Sequence, residues 1–348
     1  MVDKAGQRLP FFDEVAITIT EGTTPDPRPF LNGKSDVYEI VRPHDYEQFK
    51  EKSRDGRFRL VELGIVGERD FIWFNQNTGT HQNGSPIVNP SKLKWFRNKK
   101  FRQAVSCAID RERMVREIYA GRAQETYTFV STENPKWNNP NVRRFEFDAA
   151  RAKKLLEEIG ITERDGSGIA QDAEGTPLEI SFISNIGNPA REKAAVMIQE
   201  DLRKIGIKLI YVPVPFEVLR MKVDRTFDYE CAMMGLAGGG IDPAIQINVL
   251  RSSEGLHQWF PLQASPSTEW EARIDALMDE QMRTLDLSAR KKAFDEVQMI
   301  LGEEQPMIYT VSPFGYAAVR SNIGNVQGLI LSPYRVTWNI EELYFTKR

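Results

Sequence analysis

Two cysteines in 348 residues leave little room for a disulfide framework, and Cys107 and Cys231 belong to no C-x-x-C pair. Both read as small buried apolar side chains. The three histidines, His44, His81 and His257, lie far apart without a second ligand at zinc spacing, so no metal site is expected. No apolar run approaches the roughly 20 residues of a bilayer-spanning helix. Charge of one sign is lacking too: 46 basic against 49 acidic residues leave a net charge of -3, too weak a field to recruit nucleic acid. Catalytic signatures are also missing. There is no G-x-S-x-G elbow, and Gly238-Gly239-Gly240 is neither a P-loop nor G-x-G-x-x-G. The expectation is no enzyme, no catalytic residue and no cofactor. An oligosaccharide-acting hydrolase with two facing carboxylates is the alternative that 49 acidic residues leave open.

What is present is ordinary globular usage, 41% hydrophobic and 27% charged, in a chain long enough for two domains. Hydrophobic alternation predicts strands at 15–20, 59–65 and 70–75, and a short helix at 45–52. A polar, Gly- and Pro-bearing connector covers 76–90. An amphipathic helix at 99–120 follows, with Gly121 placed to end it. Then come helix 148–159 capped by Asp148, strand 178–183, helix 190–205, strand 207–213, helix 216–224 and strand 228–234. Gly160 and Gly206 stand at C′ positions. Helices at 268–284 and 288–304 precede a strand at 307–311. Strand alternating with helix marks an α/β layer. The run Glu163 to Asp172 lacks the acids of a calcium loop and reads as a Gly-rich turn.

Phe101-Arg102-Gln103-Ala104-Val105-Ser106-Cys107-Ala108-Ile109-Asp110-Arg111-Glu112 resembles the F-R-Q-A-(apolar)-S-x-A-I-D-R-E element of the family 5, peptide/nickel class of extracellular solute-binding proteins. Leu9-Pro10-Phe11-Phe12-Asp13-Glu14, Asn32 to Val37 and Phe71-Ile72-Trp73-Phe74-Asn75 are similar to upstream elements of that class. Downstream, Phe147-Asp148 with Leu155, Leu156 and Gly160, then Ile198-Gln199 with Leu202 and Gly206, then Asp242-Pro243, Arg290 and Gln305-Pro306-Met307-Ile308 keep its order. The resemblance implies a two-lobed α/β fold of the periplasmic-binding-protein type (type II, cluster C-like). Lobe I would be incomplete, with residues 1–88 its remaining part, 89–312 lobe II and 313–348 a return segment. It implies a monomeric receptor that captures a ligand between lobes by hinge closure and delivers it to ABC permease subunits. Its location would be periplasmic or anchored at the cell surface. No signal sequence precedes Val2, so the chain reads as truncated at its N-terminus. A ligand-sensing ectodomain serving a signalling partner is the other alternative.

Departures from the class define the candidate site. In dipeptide- and oligopeptide-binding members the loop after strand 228–234 runs G-W-x-x-D, and its Asp pairs with the peptide ammonium. Here Leu236 stands at the Trp position and Gly239 at the carboxylate position. Asn185 stands where some relatives have an Arg for the dipeptide carboxylate. A desolvated ammonium without its carboxylate loses several kcal/mol, so a free dipeptide is disfavoured against a neutral ligand such as a blocked peptide or an oligosaccharide. Gly238 and Gly239 would admit close backbone approach, with amides from Asn185 and Asn188. Trp73 and Trp259 are the aromatic candidates, beside Asn75 and His257, while Trp95, Trp137 and Trp270 are assigned to the core.

Overall fold

The computed structural model describes residues 1–2, 4–18, 26–67, 69–236, 242–329 and 335–346. The chain divides into two compact units, Met1–Gly67 with Pro313–Arg348, and Glu68–Ser312. In chain order the first holds β1 (Val37–Tyr38), α1 (Tyr46–Lys52) and β2 (Phe58–Ile65). The second holds β3 (Arg69–Phe74), α2 (Lys99–Ala108), α3 (Arg111–Tyr119), α4 (Ala149–Glu157), β4 (Glu179–Asn185), α5 (Pro189–Lys204), β5 (Lys208–Val214), β6 (Cys231–Leu236), α6 (Glu269–Arg283), α7 (Leu287–Glu304) and β7 (Ile308–Tyr309). β8 (Val311–Arg320) lies mostly in the first unit, where it pairs antiparallel with β1 and β2. Phe30, Tyr38, Phe49 and Phe58 pack edge and face beside that sheet.

The second unit is built on a mixed five-stranded sheet in the order β7-β3-β6-β4-β5. β4 runs parallel to β5 and β6, and β3 runs antiparallel to β6 and β7. Period-two alternation sends successive side chains to opposite cores. Ile72, Phe74, Phe182, Cys231 and Met233 face one, and Phe71, Trp73, Ile183, Ala232 and Met234 the other. Helices α2 to α5 cover the first face and α6 and α7 the second, so the inner strands β3, β6 and β4 are buried on both faces and read as near-continuous apolar runs, while edge strand β5 leaves Ile210 and Val212 exposed. Each fully buried large apolar side chain contributes about 1.5–3 kcal/mol against exposure. Cys107 and Cys231 lie in this core as free thiols, and burial raises the pKa of both.

Several sequence expectations need correction. Residues 11–18 form no strand, and the remainder of the expected strand at 15–20 lies outside the described residues. Strand β3 pairs with β6, so the second unit begins at Glu68 and not at residue 89. The expected helix at 99–120 is two helices. Ile109 is extended (φ -81, ψ 116), and the Asp110 side chain accepts from Arg113 N at 2.8 Å to start α3. The Asp of the signature is thus an N-cap. Its neighbours are caps as well: buried Arg111 donates to Ser106 O at 2.9 Å and Tyr309 O at 2.8 Å. Arg102 reaches Phe96 O at 2.7 Å and Glu304 O at 2.8 Å, and Gln103 reaches Glu303 O at 2.8 Å. These take up carbonyls at the ends of α2, α7 and the helix Pro90–Phe96, and one from β7. The run at 163–172 is a small hairpin whose turn is closed by the Asp165 carboxylate, which accepts from Ser167 N and Ile169 N.

Candidate functional site

The carboxyl ends of the parallel strands β4, β5 and β6 share one edge of the sheet, the edge at which open α/β sheets hold ligands. β4 ends at Asn185, β6 at Leu236, and antiparallel β3 begins there, with Arg69 opposite Leu236. Asn188 N-caps α5, its side chain accepting from Arg191 N at 3.1 Å. Arg191 is buried and turns back over the edge. It donates to Asp70 Oδ1 from Nη2 at 2.6 Å and Nε at 3.0 Å, and from Nη1 to Asn185 Oδ1 at 2.7 Å. The Asn185 carbonyl oxygen is therefore engaged within the chain, and its amide donates to Ile186 O at 3.0 Å. Leu236 is half-buried. Gly238 and Gly239 lie outside the described residues.

The other four candidates gather at the opposite edge. Six steps of about 3.3 Å separate Arg69 from Asn75, roughly 20 Å of strand. There Trp73 Nε1 donates to Tyr229 Oη at 3.0 Å, and Tyr229 Oη donates to Gln258 O at 2.9 Å. Asn75 Nδ2 donates to Phe227 O at 2.8 Å and Tyr229 O at 3.0 Å. Trp259 Nε1 donates to Glu271 Oε1 at 2.9 Å, with His257 Nε2 at 3.2 Å from the same oxygen and His257 Nδ1 at 3.0 Å from Val249 O. Trp73, Asn75, His257 and Trp259 are all 0% exposed. Burial would raise the pKa of Glu271, but donors from His257, Gln263 and Thr268 outweigh it and bring the value down to about 2. The seven candidates among the described residues thus form two groups, and the group around Glu271 braces the core.

Sequence reasoning missed Arg69, Asp70 and Arg191. The signal was the charged pair Arg69-Asp70 set directly against the apolar run Phe71 to Phe74. The loop after β6 returns at Asp242, held by Arg290 of α7 at 2.5 and 2.9 Å. The Arg290 hydrogen bonds lower the Asp242 pKa. Among the described residues no cluster of three or more His, Cys, Asp or Glu is placed to hold a metal ion, and no helix is long and apolar enough to cross a membrane.

Residues 4–258 match the family described as bacterial extracellular solute-binding proteins, family 5 Middle. A probable ABC transporter-binding protein of Deinococcus radiodurans is 28% identical over 330 residues, which cover 88% of this chain and 52% of that protein. The oligopeptide-binding protein AppA of Bacillus subtilis is 29% identical over 265 residues, 74% of this chain and 46% of its own. The solved structure of AppA with a nonapeptide superposes with a TM-score of 0.71 at 24% identity, covering 92% of this chain and 58% of that one. A periplasmic binding protein, MelB, of Agrobacterium fabrum in complex with stachyose gives a TM-score of 0.77 at 16% identity, covering 99% and 53%. The fold is therefore the type II periplasmic-binding-protein fold. The chain spans about half the length of the curated relatives it matches.

Proposed function

We propose, since this chain belongs to the bacterial extracellular solute-binding proteins of family 5, that it serves as a receptor passing an oligomeric solute to an ABC importer. The ligand-facing surface of its second unit is the carboxyl edge of the sheet, at Asn185 and Leu236. The observation that carries this reading is the construction of that edge: the end of β4, the start of β3 and the first turn of α5 are joined by the Asp70–Arg191–Asn185 cluster. Binding and release of a solute, with no bond made or broken, is the whole of the proposed mechanism. The location is periplasmic or at the cell surface, and the partners are permease subunits.

The solute is an oligopeptide, a blocked peptide or an oligosaccharide, in preference to a free dipeptide. Two things support this. Leu236 stands where dipeptide- and oligopeptide-binding members carry Trp, Asn185 where some relatives carry an Arg for the dipeptide carboxylate, and the proteins this chain resembles include an oligopeptide-binding protein and a stachyose complex. A thermal-shift panel of free dipeptides, blocked peptides, oligosaccharides and nickel chelates tests it. A ligand at about 100 times its dissociation constant stabilises by roughly 2.7 kcal/mol. Stabilisation by the oligomeric or blocked compounds is the expected result, and a shift confined to free dipeptides contradicts the assignment.

A further inference from the structure

Arg69 and Trp137 are two buried donors that line the same small cavity without acceptors. Arg69 is 6% exposed, and its Nη1 has no hydrogen-bond partner among the described residues; the same holds for Nε1 of Trp137, 1% exposed. The cavity has room for one small particle, about 20 Å³, and is completed by Phe129, Asn134, Pro243 and Gln246. A single water needs roughly 10–15 Å³ on the same measure. No carboxylate stands among the described lining residues.

The surroundings are positive. The Arg69 guanidinium lies 5.7 Å from the Phe129 ring centre and 5.9 Å from that of Tyr309, contacts that tolerate a cation without neutralising it. Over the Trp137 ring stand Lys136 at 5.6 Å and Arg290 at 5.2 Å, and of these Arg290 is paired with Asp242. An unpaired guanidinium taken out of water is strongly disfavoured, and burial lowers the pKa of Arg69. Trp137, assigned to the core from sequence, packs in the core, also lines this cavity, and has a buried N–H without a partner among the described residues.

We propose that the cavity between Arg69 and Trp137 is an anion site that takes one anionic acceptor, either a free halide-sized ion or a carboxylate oxygen of the solute. Arg69 Nη1 and Trp137 Nε1 donate to it. The site lies beside the proposed ligand edge, because Arg69 pairs in register with Leu236 there. Only the solute-carboxylate arm rests on the receptor reading; the free-ion arm stands without it.

Chloride-35 NMR line broadening on the full chain tests the site, together with thermal melts in which gluconate is replaced by chloride at constant ionic strength. The expected result is broadening and stabilisation for the wild type, with affinity about tenfold weaker or lost in Arg69→Gln and reduced severalfold in Trp137→Phe. Peptides with a free carboxylate and their C-terminal amides separate the sources. Displacement of chloride by the free acids alone assigns the site to the solute. Retention of chloride with every peptide assigns it to a free ion. Both leave the anion site standing even if the peptides prove not to be transported. The proposal is overturned if the wild type shows no chloride response, or if folded Arg69→Gln responds as the wild type does. Should Arg69→Gln fail to fold, an unchanged response in Trp137→Phe overturns it instead.

Discussion

Arg290 holds both carboxylate oxygens of Asp242, Nη1 to Oδ2 at 2.9 Å and Nη2 to Oδ1 at 2.5 Å, tying the end of the loop after β6 to helix α7. The same guanidinium donates to Gln281 on α6, so one side chain joins the loop to both helices of the α6–α7 pair. Replacing Arg290 with Lys keeps the charge and loses the fork. The expected loss is about 1 kcal/mol for this partly exposed pair, read from urea unfolding. The Asp242 pKa is lowered from its ordinary 3.8, chiefly by the Arg290 hydrogen bonds. The pair's contribution is therefore present above about pH 4 and fades as pH falls through the lowered value.

Glu271 is the stronger pH-dependent element. Its pKa falls from 4.5 in the ordinary state to about 2, so its contribution is complete above pH 4.5 and disappears between there and about pH 2. A shift of that size corresponds to about 3 kcal/mol. Glu271→Gln should lose a comparable amount at pH 7, because an amide cannot accept from His257, Trp259, Gln263, Ser267 and Thr268 together. The variant's unfolding free energy should also lose most of its slope between pH 5 and 2. A slope equal to the wild type's in that range would contradict this assignment.

The signature segment is expected to govern stability and not solute affinity. Arg102→Met leaves Phe96 O and Glu304 O without their donor, which should lower stability by about 2–4 kcal/mol. Asp110→Ala removes the N-cap of α3 and should lower it by about 1 kcal/mol. Solute affinity, measured by calorimetry on the folded variants, should stay within twofold of the wild type, since neither residue lies at the carboxyl edge.

Element identity in the second unit was largely legible, because capping chemistry and periodicity are local. Asp148 caps α4 and Thr268 caps α6, as short-range rules require, and Gly206 takes φ +92 just past α5. The break at Ile109 was missed because apolar periodicity runs through it unbroken, while the Asp110 cap shows only once Arg111 is seen collecting carbonyls from α2 and β7. The grouping of the site residues was not legible for a different reason. Trp73 and Leu236 sit on neighbouring strands, but β3 runs antiparallel to β6, so residues read as neighbours of the ligand loop reach the far edge. Strand direction is fixed by pairing across some 160 residues of sequence, which no local pattern contains. Arg69 and Arg191 were passed over because charged residues at strand and helix starts ordinarily read as solvated.

The unit Glu68–Ser312 has its own sheet, with a hydrophobic core on each face, and is expected to fold alone. Expressed by itself, it should unfold cooperatively and resist limited proteolysis. Cleavage throughout residues 99–304 at the rate seen for an unfolded chain would show that it depends on the first unit.

Hydrogen exchange of the full chain, with and without the strongest stabiliser from the solute panel, tests the central claim most directly. Protection should rise at the carboxyl edge, in peptides covering 69–70, 185–192 and 235–236, and stay unchanged at 73–77 and 257–259. Protection confined to the Trp73 and Trp259 edge, with none at Asn185 and Leu236, would contradict the account.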